Sequence, residues 1–277
     1  MLSYIQNYFR CLEGAITALN KMNLLRDHCI SIPQTYTSYL APVSSVRLHA
    51  EAKGQSYATP SSAMDGPLGQ PFGALKAMET PYVVRPHAAS QTHSEKPVFM
   101  FDHVAFGGRQ YQTTERIQRS LFNKKNVIVF DDNDAHFSYE IGSGYKRRTS
   151  IERQSSVAPG HGSGVTIHGL LGSFEAKLFG NITISIRPSS FSVGMFSWFP
   201  LYFPLKDPLY VPSGASIIAS MWRRYDEPTS RVWYEWGVDI AMTRDKDTMS
   251  DLSMSQSQII SCSPIHNPGG RSYHVKL

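Results

Sequence analysis

Apolar and polar residues alternate along the second half of the chain, beginning near residue 165. Three segments, 174–178, 182–186 and 232–240, place an apolar side chain at every second position. A period of two with one apolar face is typical of a half-buried antiparallel strand. The apolar sets are Phe174, Ala176 and Leu178; Ile182, Ile184 and Ile186; and Val232, Tyr234, Trp236, Val238 and Ile240.

Four prolines recur at every fourth position between these segments: Pro200, Pro204, Pro208 and Pro212. Proline lacks the backbone N–H and fixes φ, so this spacing excludes a helix and favours extended edge or loop conformations. The sequence 212–214, Pro-Ser-Gly, predicts a tight turn into the next extended segment. Short strands separated by turn residues favour a barrel or a sandwich.

The first half of the chain begins with a helical pattern. Leu12, Ala15, Ile16 and Leu19 recur at helical spacing, which predicts a helix over about Cys11 to Leu25. Pro33 excludes its continuation. Residues 34–49 are predicted as an extended stretch with a short helix, and 81–85, 98–101 and 127–130 as strands. The fold class is therefore mainly β, an antiparallel barrel or sandwich preceded by one α-helix.

Composition narrows the classes of function. The 27 Lys and Arg residues outnumber the 22 Asp and Glu residues by five, too small an excess for a polybasic nucleic-acid binder. No apolar run approaches the ~18 residues of a membrane span, and residues 1–4 do not begin like a signal peptide. The three cysteines match no zinc or redox spacing, which favours a reducing compartment.

No self-sufficient active site is recognisable. The chain has no dinucleotide-binding glycine motif, phosphate-binding loop or zinc-protease motif. His161 and His168 have no Cys or carboxylate placed to complete a metal set, so no metal site is predicted. Glu235 lies among aromatic residues and could be an acid of raised pKa, but a period of two favours its pointing to solvent, opposite Tyr234 and Trp236.

A basic segment precedes two hydroxyl residues at 147–150, with the sequence Arg-Arg-Thr-Ser. This arrangement resembles a site for a basophilic kinase, which makes Thr149 and Ser150 candidate phosphorylation sites. The simpler interpretation is a solvated basic loop, since residues 146–164 contain few apolar side chains.

An aromatic cluster at 195–200, Met-Phe-Ser-Trp-Phe-Pro, is the most distinctive candidate. One sheet face cannot bury three aromatic residues in four positions, and a Trp on a short loop suits stacking against a planar guanidinium. The alternative is a hydrophobic corner that closes the end of the barrel. Physical reasoning alone favours that corner, because such corners are common.

The aromatic cluster belongs to a larger set of distinctive segments: 31–33, 36–42, 81–85, 182–188, 194–200 (Gly-Met-Phe-Ser-Trp-Phe-Pro), 203–204, 232–236 (Val-Trp-Tyr-Glu-Trp) and 265–273 (Ile-His-Asn-Pro-Gly-Gly-Arg-Ser-Tyr). In these segments the chain resembles the C-terminal barrel of the protein arginine methyltransferase 5 family, in family order from about Cys11 to the C-terminus.

The resemblance implies a division of the chain. Residues 1–30 would hold the last helix of a missing Rossmann-like cofactor domain, and residues 31–277 would form the β-barrel domain. Relative to the family, loop-rich insertions are expected at 54–78 and 107–164. The family's cofactor-binding glycine turn and its catalytic glutamate pair belong upstream of Cys11, so the chain resembles a truncated product, an incomplete gene model or a short isoform.

The implied activity is that of a type II enzyme, which transfers methyl groups from S-adenosylmethionine to protein arginines and yields monomethyl and symmetric dimethylarginine. Trp198 would stack on the substrate guanidinium, and Phe196 would shape the pocket that limits the geometry of the product. Ser197 would take a position held by histidine in relatives that make asymmetric dimethylarginine. This chain alone is expected to bind no cofactor and to be inactive. The alternative is a stand-alone oligomerisation module.

The family also implies partners and a location. Histones, spliceosomal Sm proteins and Gly-Arg-rich proteins are the expected substrates, in the cytoplasm and the nucleus. Homo-oligomer contacts are expected, whereas the family's WD-repeat partner, a membrane and nucleic acid are not expected to bind this region.

Overall fold

The computed structural model describes residues 22–24, 30, 32–54, 78–84, 91–93, 95–102, 124–131, 136–138, 164–193, 198–226, 228–229, 231–243 and 257–276. The expected helix over Cys11–Leu25 lies almost wholly outside these residues, and the basic segment 147–150 lies entirely outside them. In the described part of the chain, no helix is long and apolar enough to cross a membrane.

The described strands form two antiparallel sheets. The strands are β1 (Thr35–Ser44), β2 (Tyr82–Val83), β3 (Gln91–His93), β4 (Lys96–Asp102), β5 (Lys124–Phe130), β6 (His136–Ser138), β7 (Val165–Phe179), β8 (Ile182–Ser185), β9 (Leu201–Val211), β10 (Ala215–Asp226), β11 (Arg231–Thr243), β12 (Ser257–Cys262) and β13 (Val275–Lys276). The α-helix Val46–Ala52 and two 3-10 turns, Pro188–Ser190 and Pro268–Gly270, complete the described elements.

The first sheet has the order β2-β9-β7-β1-β3-β6, with β4 paired to β1 and β8 paired to β7. The second has the order β12-β11-β10-β5, with β13 paired to β11. Strands of both sheets contribute to one apolar core, whose members include Leu40, Leu170, Phe203, Met221 and Trp236. The predicted class, mainly antiparallel β, is confirmed; the described strands make two packed sheets rather than a closed barrel.

The alternation of apolar residues is confirmed on two segments and only partly on the third. Phe174 and Ala176 are buried on β7, and Trp236, Val238 and Ile240 are buried on β11. On β8 the pattern fails at its start, where the Ile182 side chain is 62% exposed. Ile182 follows the turn after Phe179 at the tip of the β7–β8 hairpin, where β7 is the only described strand that pairs with β8.

The proline-rich segment is extended, as predicted, and forms β9. Its pairing with β7 breaks at one place: residues 205–208 of β9 lie opposite the single residue His168. Pro208 lies in this bulge, where a missing backbone N–H breaks no ladder hydrogen bond. The turn at 212–214 also forms as predicted, closed by the Ala215 N–H, which donates to the Pro212 carbonyl over 3.1 Å, with Gly214 at a φ of 79°.

Candidate functional site

The aromatic cluster is described only from Trp198 onward, so Phe196 and Ser197 lie outside the described residues. Trp198 is half-buried at the entry to β9. Its indole meets the Phe174 ring edge-on, with centroids 5.8 Å apart and planes at 83°. Both side chains belong to a small apolar cluster formed with Tyr36, Ala176 and Ile186. One side of the indole is thus fixed by the sheet.

A turn rich in serine leads from β8 toward Trp198; residues 185–192 are called the serine turn below. The Ser185 N–H donates to the Ser192 hydroxyl over 2.9 Å, and the Ser192 N–H donates to the Ser185 carbonyl over 2.8 Å. The buried Ser185 hydroxyl also accepts from the Arg187 N–H over 3.1 Å. These bonds close the turn on itself, although its sequence contains few residues with strong secondary-structure propensity.

An ion-pair cluster fixes the serine turn to the first sheet. The Arg187 Nε donates to the Glu95 carboxylate over 3.0 Å, and its Nη1 lies 3.6 Å from a carboxylate oxygen of Glu175. The guanidinium lies over the Tyr39 ring, 3.8 Å from its centroid, at a distance typical of a cation–π contact. The turn and strands β1 and β7 therefore meet at one guanidinium.

Glu95 has an unusual environment for a carboxylate, because its side chain is only 3% exposed. Burial raises the pKa of Glu95, while hydrogen bonds from Ser173 and Ser189 and the charge of Arg187 act in the opposite direction. Ser173 donates over 2.8 Å and Ser189 over 3.2 Å. The carboxylate is thus desolvated but well supplied with donors.

A narrow cavity of about 50 Å³ lies between the two sheets beside this cluster. Its walls are mostly apolar and include Phe99, Phe174, Phe199 and Tyr234. Tyr39 and Ser173, which contact the Arg187–Glu95 pair, also line it. Phe199 therefore connects the cavity with the segment that carries Trp198.

The second well-ordered turn lies near the end of the chain; residues 266–273 are called the C-terminal turn below. Asn267 is fully buried, has a left-handed φ of 53° and uses its whole side chain. Its amide donates to the carbonyls of Tyr234 and Tyr273, and its oxygen accepts from the N–H groups of Ser272 and Tyr273. One side chain therefore holds the turn on β11.

The position predicted for Glu235 is wrong. Glu235 does not point to solvent but is 8% exposed beneath the C-terminal turn. Its carboxylate accepts from the Trp233 Nε1 and from the Gly269 N–H, each over 2.8 Å, and from the Arg224 Nε over 3.2 Å. The period of two assigned the correct sheet face, but a distant segment of the chain covers that face.

The β9 bulge exposes backbone groups that three aromatic side chains satisfy. The His49 Nε2 donates to the Leu205 carbonyl over 2.9 Å, and the Trp236 Nε1 donates to the Pro204 carbonyl over 2.8 Å. The Lys206 N–H donates to the His266 Nε2 over 2.8 Å. These bonds pair groups that a sheet ladder would otherwise pair.

The histidines at the bulge lie in surroundings that disfavour their protonated form. Burial lowers the pKa of His49, of His168 and of His266. His266 also stacks on Trp236, with centroids 5.3 Å apart and planes at 8°. The His168 Nδ1 accepts from the Ser45 N–H over 3.2 Å, beside His49. His168 is a strand residue, as predicted, whereas His161 lies outside the described residues.

The described residues do not fit an adenosine cofactor. No glycine-rich turn joins a described strand to the start of a helix, and the hydroxyl of Ser45 already caps the seven-residue helix at the Leu48 N–H. Within the same described ranges, no three His, Cys, Asp or Glu side chains are placed to hold a metal ion.

Comparison with sequence families finds one match that spans most of the chain. A family described as the PRMT5 oligomerisation domain matches residues 35–275. Among curated proteins, the protein arginine N-methyltransferase 5 of Xenopus laevis is 32% identical over 96% of this chain, and that of Oryza sativa subsp. indica is 28% identical over 96%. The chain spans 30% and 29% of the length of these two relatives.

A solved structure shares the fold. The Trypanosoma brucei PRMT1 enzyme–prozyme heterotetrameric complex with AdoHcy matches with a TM-score of 0.51 and 10% identity, covering 90% of this chain and 62% of that one. At this identity the likeness concerns the arrangement of strands.

Proposed function

The chain belongs to the PRMT5 oligomerisation domain family, and from that premise we propose that it is the oligomerisation part of a protein arginine methyltransferase and presents Trp198 to the substrate arginine. The observation that carries this proposal is the anchoring of Trp198, half-buried and packed edge-on against Phe174. A half-buried indole keeps part of its surface exposed, where a ligand can reach it.

The chemistry of a guanidinium explains the use of such a ring. An aromatic face holds the planar cation flat without donating competing hydrogen bonds. Placement of the reacting nitrogen relative to the methyl donor then supplies much of the rate. In this proposal Phe196 shapes the pocket that limits the geometry of the product, and Ser197 takes the position held by histidine in relatives that make asymmetric dimethylarginine.

The remaining parts of the reaction are assigned to other regions of a longer protein. S-adenosylmethionine and the carboxylates that grip the guanidinium would be held outside this chain, which would be inactive alone. The substrates would be arginine-containing proteins such as histones, Sm proteins and Gly-Arg-rich proteins, in the cytoplasm and nucleus, with symmetric dimethylarginine as product. Isothermal titration of this chain with S-adenosylmethionine should give no binding heat, and micromolar binding would contradict the assignment.

The test of Trp198 uses the full-length enzyme that contains this region. Trp198→Ala should lower kcat/KM on an arginine peptide at least roughly 100-fold, since a desolvated cation–π contact is worth about 2 kcal/mol and the geometry of attack is lost as well. Affinity for S-adenosylmethionine should stay unchanged.

The matched control is Trp222→Ala. Trp222 is also half-buried, but it lies on β10 of the second sheet, where it contacts Lys125 and Arg224. Methylation by this variant should stay near the wild-type rate. Near-normal activity of Trp198→Ala together with a lowered melting temperature would show that Trp198 is a hydrophobic corner, and the assignment would be abandoned.

A second candidate function is an oligomerisation module without a part in catalysis. The description of the matching family as an oligomerisation domain favours it. Size-exclusion chromatography with light scattering separates the outcomes: a dimer or larger species that forms from this chain alone supports a self-association role, and a monomer at tens of micromolar contradicts it.

A further inference from the structure

We propose that the Glu95–Arg187 ion pair is a positioning device: it holds the serine turn in one place so that Trp198 takes a single orientation. The proposal rests on the proposed function only for the use made of that orientation. The placement itself follows from contacts among described residues.

The first step is that side chains of the serine turn pack in the same apolar cluster as Trp198. Ile186 and Phe191 belong to the turn, and both pack in the cluster that contains Trp198 and Phe174. Ile186 is 2% exposed. A displacement of the turn would therefore move the surface against which the indole packs.

The second step is that the turn has one regular element after the end of β8 at Ser185, the 3-10 turn Pro188–Ser190. The backbone ties the start of the turn to β7, where the Ile186 N–H donates to the Phe174 carbonyl over 3.0 Å, and side chains position the part from Arg187 onward. Ser185 donates its hydroxyl to the Phe174 carbonyl over 3.4 Å, and Ser190 donates to the Glu175 carboxylate over 2.9 Å. The strongest links to the sheet are those of Arg187 and Ser189 with the buried Glu95.

The third step is an argument from energetics. A buried ion pair must repay the desolvation of both charges, so replacing it by well-packed apolar residues often leaves stability unchanged or raises it. Polar pairs of this kind are retained in some proteins because they specify one conformation. The planar guanidinium, fixed at once by Tyr39, Glu95 and Glu175, is suited to that task because each contact restricts a different direction.

The experiment uses this chain labelled with 5-fluorotryptophan. Its four Trp residues give four ¹⁹F lines, and Trp198→Phe identifies the line of Trp198. In the double variant Glu95→Leu/Arg187→Leu, the Trp198 line should split or broaden at least twofold, while the melting temperature stays within a few degrees of wild type. A merely structural pair would lower the melting temperature and leave the folded-state line single.

The matched control is Glu79→Leu/Arg271→Leu, which removes the carboxylate–arginine pair of the C-terminal turn. This change should leave the Trp198 line single and unshifted. If the Leu pair prevents folding, Glu95→Gln gives the same test, since it keeps the shape of the side chain and removes its charge. A single, unshifted Trp198 line in every folded variant at Glu95 overturns the proposal.

The kcat/KM of Trp198→Ala in the full-length enzyme tests the arginine-stacking function separately from this proposal. Near-normal activity of that variant rejects the stacking function without deciding whether the ion pair positions the indole. The number of Trp198 lines still decides whether Glu95 and Arg187 position the indole.

Discussion

The serine turn and the C-terminal turn are built from the same parts but are set at different depths. Each joins an arginine, a glutamate and serine hydroxyls, and each supports a tryptophan. The C-terminal turn covers Trp236, which is fully buried, and its Arg271 is mostly exposed. The serine turn buries its glutamate, while Trp198 is only partly buried. The C-terminal turn stabilises the core, whereas the serine turn uses a buried glutamate to hold a partly exposed tryptophan.

The largest expected difference is between the two tryptophans. Trp236→Ala should lower the free energy of unfolding by about 3–5 kcal/mol, because it empties a fully buried site and leaves the Pro204 carbonyl without its donor. Trp198→Ala should cost only ~1–2 kcal/mol, as expected for a half-buried side chain. Urea unfolding of both variants measures the contrast. Equal losses would show that Trp198 belongs to the core.

Asn267 gives the next test, because it combines a left-handed backbone conformation with four side-chain hydrogen bonds. Asn267→Gly should cost roughly 2 kcal/mol through lost hydrogen bonds alone. Asn267→Ala should cost about 1 kcal/mol more, because a Cβ is strained at this φ. The difference between the two variants in thermal unfolding isolates the backbone strain. If the Ala variant equals the Gly variant, the turn has changed its conformation.

The histidines around the β9 bulge, next to the C-terminal turn, predict that the free energy of unfolding depends on pH. The pKa of His49, of His168 and of His266 lies below 6.5 in the folded chain. Their contribution to stability is therefore fully present above pH 6.5 and is lost as the pH falls below it toward the folded pKa values. Each group contributes a slope of up to about 1.4 kcal/mol per pH unit in that window.

Urea unfolding between pH 5 and 8 measures this slope. His266→Gln is the informative variant, because an amide can accept from the Lys206 N–H and donate to the Trp236 carbonyl without titrating. The variant should flatten the pH dependence. An unchanged slope would show that His266 is not among the groups that titrate on unfolding.

Sequence patterns predict the strands of this protein better than its turns. A period of two identifies β7 and β11, and proline spacing identifies β9, because burial on one face and a missing N–H act locally. The long-range contacts that decide the turns leave no such signal. Glu95 lies 92 residues from Arg187, and Gly269 lies 34 residues from Glu235.

The candidate site was predictable only in part, for the same reason. The pattern of aromatic residues drew attention to Trp198, but nothing in its neighbourhood indicated the guanidinium of Arg187 or the buried carboxylate of Glu95. The resemblance of residues 265–273 to the family drew attention to the C-terminal turn but assigned it no physical role. The composition of residues 267–270, Asn-Pro-Gly-Gly, is a local signal from which a tight turn there could have been inferred, since Asn tolerates the left-handed φ that it adopts here.

The smallest effect, and the most direct test of the difference in depth, is the titration of the two carboxylates. Hydrogen bonds from Arg271 and Ser272 lower the pKa of Glu79, whereas burial raises the pKa of Glu95. Glu79 should therefore add stability above pH 4.5 that is lost as the pH falls through its folded pKa. Glu95 should contribute more to stability at low pH than at high pH, because protonation removes the cost of burying its charge. Carboxyl ¹³C titration, with Glu79→Gln and Glu95→Gln to assign the signals, should place the Glu79 midpoint below 4.5 and the Glu95 midpoint above it. If both midpoints fall below 4.5, the donors around Glu95 outweigh its burial, and the two turns differ in position but not in electrostatic design.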